Sequence, residues 1–83
     1  MKYLIVERGH KTEAILFGAC LGHDDMKRAL EPGFKVVGAG ICSFNWNPDE
    51  CGWDVHLVKG STSLNMEAKE DDKFFIRFAL NFR

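Results

Sequence analysis

The stretch Glu70-Asp71-Asp72-Lys73-Phe74-Phe75-Ile76-Arg77-Phe78-Ala79-Leu80-Asn81-Phe82 decides the fold. Read with a period of two, Phe74, Ile76, Phe78, Leu80 and Phe82 share one face and make a strand. Read at about 100° per residue, Phe74, Phe75, Phe78, Ala79 and Phe82 form one arc, which Ile76 and Leu80 extend. Lys73, Arg77 and Asn81 then share the remaining stripe. The acids at 70–72 suit a helix N-terminus and are poor strand residues. Periodicity alone leaves both readings open.

Upstream the elements are easier to assign. Lys2–Glu7 is short, apolar in its middle and rich in β-formers, so it reads as a strand buried on both faces and therefore central. Gly9-His10-Lys11 is a turn, and Thr12–Phe17 pairs back as a hairpin partner. A helix over 12–21 is the weaker choice because Gly18 and Gly22 interrupt it. His23–Leu30 is a short helix with Asp24 and Asp25 in its first turn and Lys27 and Arg28 in its last, as the macrodipole favours. Met26, Ala29 and Leu30 form its apolar stripe, and Pro32-Gly33 ends it.

Phe34–Phe44 is the longest strand candidate, Asn45–Gly52 a loop, and Trp53–Lys59 an alternating strand. Trp53, Val55 and Leu57 lie on one face of that last strand, and Asp54 and His56 on the other. The two strands make a long-looped hairpin. Gly60 breaks the run, and Ser61–Met66 is an optional further strand.

The chain has 83 residues, 46% hydrophobic and 28% charged, which fits one small folded domain spanning 1–83. A chain of this length buries roughly 60–65% of its unfolded surface. That excludes a large enzyme with an enclosed active site and points to an oligomer. The net charge of -1 and a pI near 6.3 come with scattered bases, only Lys27 and Arg28 being adjacent. A duplex-binding stripe is therefore disfavoured. Leu4-Ile5-Val6 is too short for an export signal, no stretch approaches a membrane span, and Cys20, Cys42 and Cys51 are odd in number. These features predict free thiols in a soluble, cytoplasmic protein.

Ala39-Gly40-Ile41-Cys42-Ser43-Phe44, Val55–Lys59, Gly60-Ser61-Thr62-Ser63-Leu64 and Asp71-Asp72 before an apolar C-terminus resemble a group of short proteins of bacterial prophages and other mobile elements. The His23-Asp24 helix start is similar too. The motifs are short, and the likeness spans about two-thirds of the chain. Glu70 stands where the group has Pro, and Asn65 where Gly is usual. The group has no assigned activity, so the resemblance implies no site residues. In it an acidic pair starts a final helix, which favours the helix reading over 69–82. The resulting expectation is an α+β domain of order β-β-α-β-β-(β)-α, a mainly antiparallel sheet with both helices on one face.

Candidate chemistry is thin. Cys20 and His23 have the spacing of half a zinc site, but a second tight pair is missing, since Cys51 and His56 are five apart. Cys20 beside His23 is a weak candidate nucleophile. Asp54 and His56 share a strand face without a third group to orient the histidine. Gly38-Ala39-Gly40 lies inside a strand and lacks the third glycine of a phosphate loop, so it marks a bulge or a close helix–sheet approach. No cofactor or metal is expected.

Trp46, in a polar segment, and a final helix apolar over most of its circumference point instead to binding. The expected function is a non-enzymatic protein-interaction module, homodimeric, with Trp46, Ile76, Leu80 and Phe82 at its contact surface. An alternative is a small-ligand or minor catalytic site in a dimer cleft lined by His23, Cys42, Asp54 and His56. A nucleic-acid-associated regulator is a third reading.

Overall fold

The computed structural model describes residues 1–31 and 33–81. Its elements run β1 (Lys2–Arg8), β2 (Lys11–Phe17), α1 (His23–Leu30), β3 (Lys35–Asn47), β4 (Gly52–Gly60) and α2 (Asp72–Asn81). The four strands form one antiparallel sheet in the order β2-β1-β3-β4. The protein is therefore α+β, in the expected element order but without the optional strand before the last helix. Ser61–Met66 is a tight turn rather than a strand, closed by reciprocal backbone bonds between Ser61 and Met66.

β1 and β2 are joined by Gly9 and His10 alone. Gly9 takes a φ of +62° while His10 stays out of the positive region, which is the pattern of a type II′ hairpin turn. β1 is fully inside the sheet, and its alternation is apolar on both faces. Tyr3 and Ile5 belong to one core cluster, Leu4 and Val6 to the other.

That alternation decides where the helices go, and here the expectation of both helices on one face is wrong. Met26 and Leu30 of α1 cover Leu4, Val6, Phe17 and Val36. Ile76 and Leu80 of α2 cover Tyr3, Ile5, Ala14 and Val55 on the opposite face. A single-sided arrangement would leave half of β1's apolar side chains in water. The stripe of α1 is also turned by one position: His23 is buried beside Met26 and Leu30, and Ala29 is exposed.

β3 and β4 run on past the end of β1, whose last partner in β3 is Ile41. Residues 43–47 and 52–56 are thus a two-stranded ribbon. Its aromatic side carries Phe44, Trp46 and Trp53, with Trp53 edge-on to both neighbours at 5.6 and 5.4 Å between ring centroids. The register Trp46↔Trp53 explains why β3 extends through a segment rich in asparagine. An aromatic cross-strand pair is worth up to about 1 kcal/mol, enough to offset poor local propensity. The loop shrinks to residues 48–51.

Gly40 lies where β1, β3 and β4 crowd together. A Cβ there would stand 2.7 Å from both the Tyr3 hydroxyl and the Lys59 carbonyl. Gly38 faces Ile5 at 3.1 Å and Asp72 of α2 at 3.5 Å and adjoins the register shift between β1 and β3, so it marks a bulge and the approach of α2, whereas Gly40 makes room within the sheet. Gly40→Ala is expected to lower the unfolding free energy by about 1–3 kcal/mol through overpacking, and Ile76→Ala by about 2–5 kcal/mol through a cavity. Urea titrations followed by circular dichroism measure both, and values near zero would place neither residue in the core.

Candidate functional site

α2 starts on a buried carboxylate. Asp72 Oδ2 accepts a 2.7 Å hydrogen bond from the Tyr3 hydroxyl and a 3.0 Å bond from the Lys69 backbone N–H. Tyr3 and Asp72 are both buried. Burial first, then the bond to Asp72 and its charge, hold the Tyr3 phenol far above its ordinary range, so it remains a donor. With Asp72 turned inward, the positions one and two turns later, Ile76 and Leu80, also face the sheet.

This phase settles which side of α2 meets solvent. Ile76 and Leu80 are fully committed to the chain's own core, so neither lies at the surface. Phe75 and Ala79 flank them, half-buried. The exposed aromatic residues of α2 are Phe74, 65% accessible, and Phe78, 50% accessible. Trp46, also expected at the contact surface, is 50% accessible on the same side of the sheet. Phe82 lies outside the described residues. Arg77 stands between helix and ribbon, its Nε donating to the Trp53 carbonyl at 3.3 Å.

The four residues of the alternative cleft do not meet within one chain. His23 lies on the α1 side, edge-on to Phe17, and its Nε2–H donates to the Gly40 carbonyl at 2.8 Å. Cys42 is buried on the opposite side, under α2. Asp54 and His56 sit on the ribbon, Asp54 bonded to Asn47 Nδ2 at 3.3 Å and His56 exposed opposite Ser43. Among the described residues no three His, Cys, Asp or Glu side chains converge on a point that could hold a metal ion.

Cys20 and Cys51 are exposed, and all three thiols are free. Burial pushes the Cys42 thiol up, against a smaller opposing pull from the N-terminal ammonium, which donates to the Cys42 carbonyl at 3.1 Å. Thiolate is the reactive form, so Cys42 is inert in the folded protein. Iodoacetamide at pH 8 is expected to modify Cys20 and Cys51 within minutes and Cys42 only in denaturant. Mass spectrometry of the labelled peptides reads this directly, and prompt native labelling of Cys42 would show that α2 does not seal that face.

Two open grooves lie on the α1 side and along β4. One, of about 300 Å³, runs between the start of α1 and the 61–66 turn, past Lys2 and Lys59. The Lys2 ammonium is already engaged by the Leu21 carbonyl at 2.8 Å. The other, of about 610 Å³, is a shallow trough beside Leu57–Thr62 and Met66–Ala68. No helix of the described residues is long and apolar enough to cross a membrane.

No family model, curated protein or solved structure matches the chain.

Proposed function

We propose that the protein is a non-enzymatic interaction module that works as a homodimer, with the α2 side of its sheet as the binding side. The observation that carries this reading is the exposure of Phe74, Phe78 and Trp46 on that side, while the other large aromatics among the described residues pack inward. Solvent-facing aromatics of this size favour a protein contact, because each gains up to about 1.5–3 kcal/mol on full burial. The scattered bases and the pI near 6.3 speak against a nucleic-acid surface. The likeness to short prophage proteins fits an accessory protein of a bacterial mobile element acting in the cytoplasm, where its free thiols persist.

The contact surface differs in part from the sequence expectation. Trp46 stays in it, while Phe74 and Phe78 take the places of the buried Ile76 and Leu80. Light scattering is expected to give a molar mass near twice 9.4 kDa. Cross-linking in extract of the source cell is expected to yield a protein adduct that Trp46→Ala and Phe74→Ser each reduce at least about tenfold, the loss of one interface anchor, with the melting temperature unchanged. A monomer whose cross-links ignore both substitutions would contradict the reading. A small molecule retained in native mass spectrometry would favour the ligand-binding alternative.

A further inference from the structure

The two edges of the sheet are built differently. β4 is blunted. Its register against β3 slips between Ile41, which pairs Lys59, and Cys42, which pairs Leu57, so Val58 is an extra, bulged residue. Arg77 already occupies the Trp53 carbonyl, and the chain at residues 66–68 folds back against Gly60. These are the devices by which sheets prevent further pairing. β2 is less protected, its charges Lys11 and Glu13 being confined to the half next to the hairpin turn. It pairs β1 in unbroken register over all seven residues and contains neither bulge nor proline. Its outer half, Ala14-Ile15-Leu16-Phe17, is uncharged.

The turn fixes which backbone groups of β2 face outward. In a two-residue hairpin the residues flanking the turn, here Arg8 and Lys11, exchange both hydrogen bonds, and bonded pairs then recur at every second position. Lys11, Glu13, Ile15 and Phe17 therefore point their N–H and C=O at β1. Thr12, Ala14 and Leu16 point theirs away from the sheet, and among the described residues no strand pairs with them.

That outward set is symmetric about Ala14. We infer that a second copy of this chain pairs antiparallel along β2, Ala14 opposite its own counterpart and Thr12 opposite the second copy's Leu16, joining the two sheets into one of eight strands. The pairing is isologous, the form that a two-fold dimer requires. Ala14, at the centre, is small, and above it a groove of about 390 Å³ is lined by Lys11, Glu13, Ala14, Phe78 and Ala79. The half-exposed Phe78 and the groove beside it lie on the same flank, so the axis that joins the strands also brings the two copies of α2 together. The inference rests on the self-association proposed above and names its interface. Trp46, on the ribbon beyond the far edge of the sheet, stays available for a different protein.

Proline at position 12 tests this without touching the β1–β2 ladder, because the Thr12 N–H points outward. In a light-scattering dilution series Thr12→Pro is expected to raise the dimer dissociation constant on the order of 30-fold, two symmetry-related hydrogen bonds being lost, with far-UV circular dichroism unchanged. Hydrogen exchange of the wild-type protein is expected to protect the Thr12, Ala14 and Leu16 amides above the dissociation constant and to release them on dilution below it. A wild-type protein that is monomeric throughout overturns self-association and this interface together. A dimer in which these three amides exchange freely and Thr12→Pro dissociates like wild type overturns the edge pairing alone. Should the proline variant fail to fold, the wild-type amides decide between the same two results.

Discussion

The hydrogen bond between the Tyr3 hydroxyl and the Asp72 carboxylate, 2.7 Å long and buried, sets the rotation of α2 and through it the character of the whole surface. A buried carboxylate without partners is costly, about 1–3 kcal/mol or more. Asp72 therefore faces the sheet only where donors await it, and Tyr3 and the Lys69 N–H are those donors. Gly40 leaves room for the Tyr3 ring to reach across β3. Once Asp72 points inward, 3.6-residue periodicity carries Ile76 and Leu80 in with it and turns Phe74 and Phe78 out. The helix gives up part of the burial of two phenylalanines, roughly 1 kcal/mol each at half exposure, and keeps a satisfied polar anchor.

The exposed aromatic face follows from the same bond. Rotating α2 to bury its phenylalanine arc would leave Asp72 facing away from Tyr3 and would present Ile76 and Leu80 to solvent. In the observed phase, Phe74 and Phe78 stand outside, while Arg77 reaches to the ribbon and closes the flank toward β4. β2 keeps an unblunted edge on the other flank. The two edges of the sheet thus differ, β4 carrying a bulge and β2 pairing β1 in unbroken register.

Much of the fold was legible in the chain. The hairpin of β1 and β2 followed from Lys2–Glu7, the turn and Thr12–Phe17; α1 followed from its charge order; and the period-two run Trp53–Lys59 made β4. The bulge and helix approach at Gly38 were also readable, while Gly40 instead makes room for the Tyr3 ring. The sidedness of the helices was misread although its cue was present. A strand buried on both faces, as Lys2–Glu7 was expected to be, needs a cover on each. The ribbon was cut short because Asn45 and Asn47 are turn formers, and only the register opposite Trp53 shows what holds Trp46 in a strand.

The surface was less legible, for a physical reason. Hydrophobic periodicity finds the phase of a helix when its buried stripe is apolar, and here that stripe begins with a charge. Nothing local to Asp72 reveals that Tyr3, 69 residues earlier, will meet it. The direct measurement of this account is a double-mutant cycle on Tyr3→Phe and Asp72→Ala, read by urea unfolding. A coupling energy of about 1–3 kcal/mol between the two positions is expected. Additivity within about 0.3–0.5 kcal/mol, the behaviour of independent sites, would contradict it.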